Sequence, residues 1–358
     1  MLTKALLPEP GSSDASVNLL HLRLFHHFQN STLQTLLCGR EAWEHALQLS
    51  FQFEFLMNAI LCVSARHLAV LSSEDATYQT VATSHLCHAS SGLRQELSKG
   101  GSSVNFDAFL ATSILLYYDT WTSVDYFSPQ SPGDIMSDAW TDRVFGFSFS
   151  LKKTLLTGFQ HSCEEPSRFR KQLLYTPSEV LAQATKISDD RLAEYKEFFS
   201  YHRPLRLEML NTPLPSTLGI DESNSDRPIN GILGTGAAFD APDNAYAQVV
   251  SRLCLILPFL SQAESLSSGS SNESHLLPVL AKYILSFPLL GYSPFPTMIE
   301  RGDEHALLLL YHFYRAVRIL LSPADWWWAH KRAVVAEAVL RDRLISAIAK
   351  QSNVPYLH

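Results

Sequence analysis

The chain has 358 residues, 46% of them hydrophobic and 18% charged, with a formal net charge of -7. That much apolar material can fill a large core, as one helical body or two closely packed ones. The acidic balance and the lack of a dense basic run exclude a broad phosphate-binding face, because non-specific nucleic-acid affinity comes from clustered Lys and Arg displacing counterions.

Five cysteines, Cys38, Cys62, Cys87, Cys163 and Cys254, are scattered and never form a Cys-x-x-Cys pair. Free thiols in a reducing compartment are a simpler reading than a disulfide framework. The start, Met1 to Pro8, has one Lys and an apolar run cut by Pro8, unlike a secretory signal. No uncharged apolar stretch approaches the roughly 20 residues of a membrane span. An intracellular protein without a membrane partner is expected.

In chain order, residues 1–17, with Pro8, Pro10, Gly11 and a Ser cluster, read as a flexible lead-in to a single helical domain at 18–358. Leu56, Ala59, Ile60, Val63, His67 and Leu71 recur at three and four, as do Tyr78, Ala82, His85, Ala89 and Leu93. Both patterns predict amphipathic helices. Asn105 can cap a third helix with the stripe Phe106, Phe109, Leu110, Ser113 and Tyr117, and three such helices would pack as an antiparallel array.

Thr176-Pro177-Ser178-Glu179 predicts a helix start, and Ser322-Pro323-Ala324-Asp325 repeats the device. Leu307, Leu310, Tyr311, Tyr314, Val317 and Leu321 form one late stripe; Val334, Ala338, Ile345 and Ile348, with Arg341, form another. Strand-like alternation is scarce, so the predicted fold is all-α, a large multi-helix antiparallel array. Breakers at 212–242 and a Ser-rich run at 262–274 predict long irregular loops.

Chemical motifs are weak. Ser188-Asp189-Asp190-Arg191 resembles faintly the Asp-rich helix with which isoprenoid cyclases hold magnesium diphosphate, but its spacing is off by one and no second acidic motif follows; a capped first turn is the favoured reading. Gly231, Gly234 and Gly236 lack the spacing of a dinucleotide loop and the Lys of a P-loop. No Gly-x-Ser-x-Gly elbow or His-Glu-x-x-His pair occurs. His85, Cys87 and His88, with His67 a helix away, could supply metal ligands, yet His67 and His85 sit on apolar stripes where hydrogen-bonded core imidazoles are the better account. His26 and His27 read as residues near a helix end. No metal or other cofactor is expected. The aromatic-rich link at 287–295 is compatible with an apolar pocket built from Phe287, Leu290, Tyr292, Phe295, Tyr311 and Tyr314, and equally with a packed core.

Four blocks in order carry a family resemblance: Leu19 to Phe28, Phe55 to Ala69 with Trp43 before it, Asn105 to Ser113, and Asp325-Trp326-Trp327-Trp328-Ala329-His330-Lys331-Arg332-Ala333. Together they are similar to the regulatory domain of fungal zinc-cluster transcription factors, above all the sterol uptake control branch, over about residues 18 to 350. The resemblance implies a nuclear, all-helical regulator of transcription that in the sterol branch binds a sterol. It also implies control of lipid or secondary-metabolite genes. The six cysteines with which such factors bind zinc and read DNA have no counterpart before Cys38. Direct DNA contact is therefore not expected, and a DNA-bound factor or a second copy is the expected protein partner. A helical enzyme or carrier for a hydrophobic small molecule is the rival, motivated by the 287–295 link and the acidic motif.

Overall fold

The computed structural model describes residues 18–72, 75–98, 105–124, 142, 144–148, 151–152, 167–169, 177–185, 189–211, 242–263, 276–290 and 294–352. No strand occurs among them, and the fold is all-α. The lead-in at 1–17, the glycines at 231–236 and most of both predicted loops lie outside the described residues. Pro242 belongs to a helix and Gln262 to a 3-10 turn, which shortens each predicted loop at one end.

The N-terminal helices are α1 (Leu19–His27), α2 (Arg40–Ser50), α3 (Glu54–Leu71), α4 (Ala76–Ser98) and α5 (Phe106–Thr122). Asn18 starts α1 by accepting the amides of Leu20 and His21 at 3.1 and 3.2 Å. Asn105 starts α5 in the same way through Asp107 and Ala108, at 3.0 and 3.2 Å. Such caps satisfy amides that have no partner within the helix, and each contributes about 1 kcal/mol.

Helices α3 and α4 run antiparallel, with Arg66 reaching Gln79 at one end and Gly92 seated on Phe55 at the other. Helix α3 is long and apolar enough to cross a membrane by length and composition alone, but two-thirds of it is buried against its neighbours. The predicted stripe on α5 is too narrow. Every residue from Ala108 to Asp119 is buried, followed by Trp121, because α5 is enclosed on all sides and needs no solvent face.

Downstream are α6 (Ser178–Thr185), α7 (Asp189–Phe198), α8 (Glu208–Asn211), α9 (Pro242–Leu253), α10 (Leu276–Ser286), α11 (Pro294–Glu300), α12 (Glu304–Leu320) and α13 (Trp327–Ser352). Helix α12 is capped by Asp303, which accepts the Ala306 amide at 2.9 Å, and its predicted stripe is buried. Helices α12 and α13 form an antiparallel hairpin: Glu304 at the start of one meets Gln351 at the end of the other, and Arg318 pairs with Glu337.

Two sequence expectations need correction here. The Ser322–Asp325 segment is a turn ahead of α13 rather than its first turn, with the Trp326 amide bonded to the Ser322 carbonyl at 2.9 Å. The stripe on α13 is largely inverted: Val334, Ala338, Arg341 and Ile345 face solvent, and only Ile348 packs partly against the core. The buried line is Ala329, Ala333, Ala336, Leu340 and Leu344, together with Arg332. Small alanines let α13 approach its neighbours closely, so dispersion contacts there outweigh the larger transfer gain of Val or Ile. One buried cluster runs from Phe28 to Leu344 and joins α2 to α5 with α12 and α13.

Candidate functional site

Four of the six residues proposed from sequence as an apolar pocket are described to the side chain, and Phe287, Phe295, Tyr311 and Tyr314 are all buried. Phe287 lies flat on Phe313 with ring centroids 4.4 Å apart, and Phe145 meets Phe287, Phe295 and Phe313 edge-on. Tyr311 is tied elsewhere, its hydroxyl donating to the Leu210 carbonyl at 3.1 Å. Leu290 belongs to the short turn Pro288–Leu290, its side chain and all of Tyr292 lying outside the described residues. These rings fill one another's space, each pair contributing about 0.5–1.5 kcal/mol beyond burial.

Tyr314 leads into a polar node that sequence reasoning missed. Its hydroxyl donates to one oxygen of Asp142, whose other oxygen receives Arg332 Nη2 at 2.5 Å. Arg332 also donates to the carbonyls of Thr120 and Ser123 at 3.2 and 2.7 Å and to the Tyr314 oxygen at 3.1 Å. The node thus joins the end of α5, the α12/α13 hairpin and residue 142. Burial alone would lower the Arg332 pKa, but the Asp142 carboxylate and the Tyr314 oxygen outweigh it and raise the pKa above its ordinary value. Burial likewise pushes the Tyr314 phenol well up. Every member is charge-compensated and hydrogen-bonded, the condition for a buried ion pair to be tolerated.

A second ion pair joins Arg66 on α3 to Asp119 on α5 at 2.7 Å, and the buried Cys62 thiol donates to the same carboxylate oxygen at 3.4 Å. Burial, reinforced by Asp119, holds Cys62 protonated and inert.

His67 and His85 are core groups. His67 Nδ1 lies 3.0 Å from the Thr32 hydroxyl, and its ring stacks on Trp327 at 4.6 Å. His85 Nδ1 lies 2.8 Å from Asn58 Oδ1. Burial holds both near 4, helped by His27 beside His67 and by His21 and His88 beside His85. His26 and His27 occupy the last turn of α1. No group of three His, Cys, Asp or Glu side chains converges on a metal position among the described residues. In the acidic motif, Ser188 and the Asp189 side chain lie outside the described residues; Asp190 is exposed, and Arg191 pairs with Glu194 at 3.1 Å.

The Trp block pins α13. Trp327 Nε1 donates to Thr35 Oγ1 at 2.8 Å, while Trp328 packs edge-on against Tyr118 and Trp121. Trp326 is only partly buried and forms one wall of an open cleft of about 560 Å3 shared with residues 34–39 and α10. None of the six residues proposed from sequence lines this cleft.

Residues 23–126 match the fungal specific transcription factor domain family. Over 164 residues, 44% of the chain, the sequence is 29% identical to sterol uptake control protein 2 of Candida albicans, covering 21% of that protein. Over 143 residues, 38% of the chain, it is 28% identical to sterol uptake control protein 2 of Saccharomyces cerevisiae, covering 15% of it. A Zn(2)-C6 fungal-type transcription factor of Gibberella zeae is 30% identical over 118 residues, 31% of the chain and 24% of that relative. The chain thus spans less than a quarter of each of these relatives' lengths.

Proposed function

We propose, from the match of residues 23–126 to the fungal specific transcription factor domain family, that the chain is the regulatory body of a fungal transcription regulator and works in the nucleus through protein contacts. The observation that carries this reading is the place of the matched segment in the fold. Helices α2 to α5 share one buried cluster with α10 to α13, so the matched segment is one part of a larger body. The net charge of -7 supports recruitment by a DNA-bound partner or a second copy over direct contact with nucleic acid. We read the protein as a non-enzymatic regulator.

An apolar effector belongs to the same proposal. Two relatives are named for control of sterol uptake, and the aromatic shell of Phe287, Phe295 and Tyr314 involves α12 directly, through Tyr314 and the stacking of Phe287 on Phe313. A sterol-like molecule entering there would part the Phe287–Phe313 stack and so move the hairpin relative to α5. Control of lipid or secondary-metabolite genes is the corresponding proposed output.

The test is to tether the chain to a heterologous DNA-binding domain in a fungal cell and read a reporter under that domain's operator. A several-fold change in reporter output, up or down, is expected. It should disappear with Asp142→Ala, which removes the buried partner of Arg332. A stable, nuclear fusion that leaves the reporter unchanged overturns the reading.

A further inference from the structure

Ser322 to Asp325 form the tip of the α12/α13 hairpin, four exposed residues in a row. Leu321, at φ -104° and ψ 108°, has already left the helix for extended backbone. Pro323 holds the chain there: its ring keeps the residue before it out of the helical region and fixes its own φ at about -65°. The Ser322–Pro323 bond is trans, as no cis peptide bond occurs among the described residues. Ser322 secures the turn by its main chain and leaves its side chain lightly engaged. Its carbonyl accepts the Trp326 amide at 2.9 Å, whereas its hydroxyl oxygen accepts the Ala324 amide at only 3.3 Å, beyond the usual range of an N–H···O bond.

Among the described residues no other Ser or Thr stands before a Pro. An exposed hydroxyl on extended backbone suits group transfer, because an active site must wrap the acceptor and align its oxygen with the transferred phosphorus. Pro323 then narrows the enzyme. It has no N–H to donate and an apolar ring to bury, so it favours an active site with an apolar seat for the residue after the serine. Asp325 narrows it further, since a groove lined with carboxylates to receive Lys or Arg at the third place after the serine would meet like charge.

We propose that Ser322 is a phosphorylation site for a proline-directed protein kinase that needs no basic residue after the proline. The Ser322 hydroxyl oxygen attacks the γ-phosphorus of ATP; the new O–P bond replaces the one to the β-γ bridging oxygen, ADP leaves, and the hydroxyl proton passes to the kinase's general base. The product adds about -1.5 to -2 charges at the hairpin tip, close in sequence to Trp326, which walls the open cleft. The site stands whether or not the chain regulates transcription.

Purified full chain is incubated with ATP, magnesium and a mitogen-activated protein kinase, and in parallel with a cyclin-dependent kinase, which prefers Lys or Arg at that third place. Phosphate at each serine and threonine is followed by tandem mass spectrometry, with a peptide of residues 316–328 as the unfolded reference. The first enzyme is expected to fill Ser322 in the folded chain, and Pro323→Ala to slow it there at least about tenfold. Asp325→Lys should raise the second enzyme's rate at Ser322 above that on the unaltered chain. Circular dichroism checks the fold of each variant; should one not fold, the comparison of the two kinases on the unaltered chain decides alone. Ser322 left unmodified in the folded chain while the peptide is filled, a rate at Ser322 indifferent to Pro323→Ala, or faster modification of the unaltered chain by the cyclin-dependent kinase would each overturn the proposal.

Discussion

Arg332 and Asp142 form an ion pair at 2.5 Å whose side chains are 1% and 0% exposed, although 190 residues separate them in sequence. It is more enclosed than the Arg66–Asp119 pair, whose side chains are 13% and 6% exposed. Removing one partner strands the other's charge in the core. Asp142→Ala should therefore cost about 3–5 kcal/mol, read as a fall in the urea midpoint. Replacing Asp142, Tyr314 and Arg332 together by Leu, Phe and Met should recover most of that loss. A midpoint for Asp142→Ala within experimental scatter of the original would show that the node contributes little.

Acid should weaken the fold through its core histidines. His67 and His85 are held near 4 in the native state, against an ordinary 6.5. The unfolded chain therefore binds more protons than the native one between about pH 6.5 and pH 4. Their contribution is complete above pH 6.5 and falls as pH drops through that window. Allowing for partial solvent access, each should contribute about 1–2 kcal/mol to the difference between pH 7.5 and pH 4.5. Denaturation of His67→Gln/His85→Gln at both pH values should show a correspondingly flatter dependence.

Two glycines should respond in opposite directions to alanine. A Cβ on Gly92 would meet Phe55 Cβ at 3.0 Å across the α3/α4 contact, whereas one on Gly146 meets nothing within 4 Å. Alanine gains about 1 kcal/mol in helix propensity at Gly92, but forcing the crossing apart should cost about 1–3 kcal/mol. Gly92→Ala should therefore lower the melting temperature, and Gly92→Val should lower it further. Gly146→Ala, at the exposed position of the otherwise largely buried helical turn 144–148, should raise stability by about 0.5–1 kcal/mol.

Trp327 offers a graded test of how α13 is held. Trp327→Phe keeps most of the contact with His67 but gives up the bond to Thr35, at an expected cost of about 1 kcal/mol. Trp327→Ala removes the ring from a site only 3% exposed, and about 3–5 kcal/mol is expected. Equal losses for the two variants would mean that the hydrogen bond, rather than the packing, secures the helix.

Much of the fold was legible in the sequence because helix starts and apolar spacing are local signals. Asn105 caps where its position implies, and the Leu307 to Leu321 stripe is buried. The α13 stripe misled because periodicity favours the larger side chain, whereas close helix contact selected Ala329, Ala333 and Ala336. His67 and His85 were legible as core groups from the stripes they occupy. The Arg332–Asp142 node was not: its members come from distant segments, and only the tertiary fold makes them neighbours. The cleft was equally hidden, since concavity at Cys38 and Lys282 depends on how a loop and a helix meet, and apolar composition pointed instead to the filled space around Phe287.

The bond from Trp327 to Thr35 and the one from Tyr117 to the Leu285 carbonyl, at 2.8 Å each, cross the edge of the family match at residue 126. Described residues on both sides of that edge share one buried cluster, so the border of sequence likeness does not divide the core. Cutting there would leave Trp121, Tyr118 and Tyr117 facing water, and the matched segment would collapse or aggregate on its own. Any signal reaching α2 to α5 must therefore be shared with α12 and α13, which complete the same core.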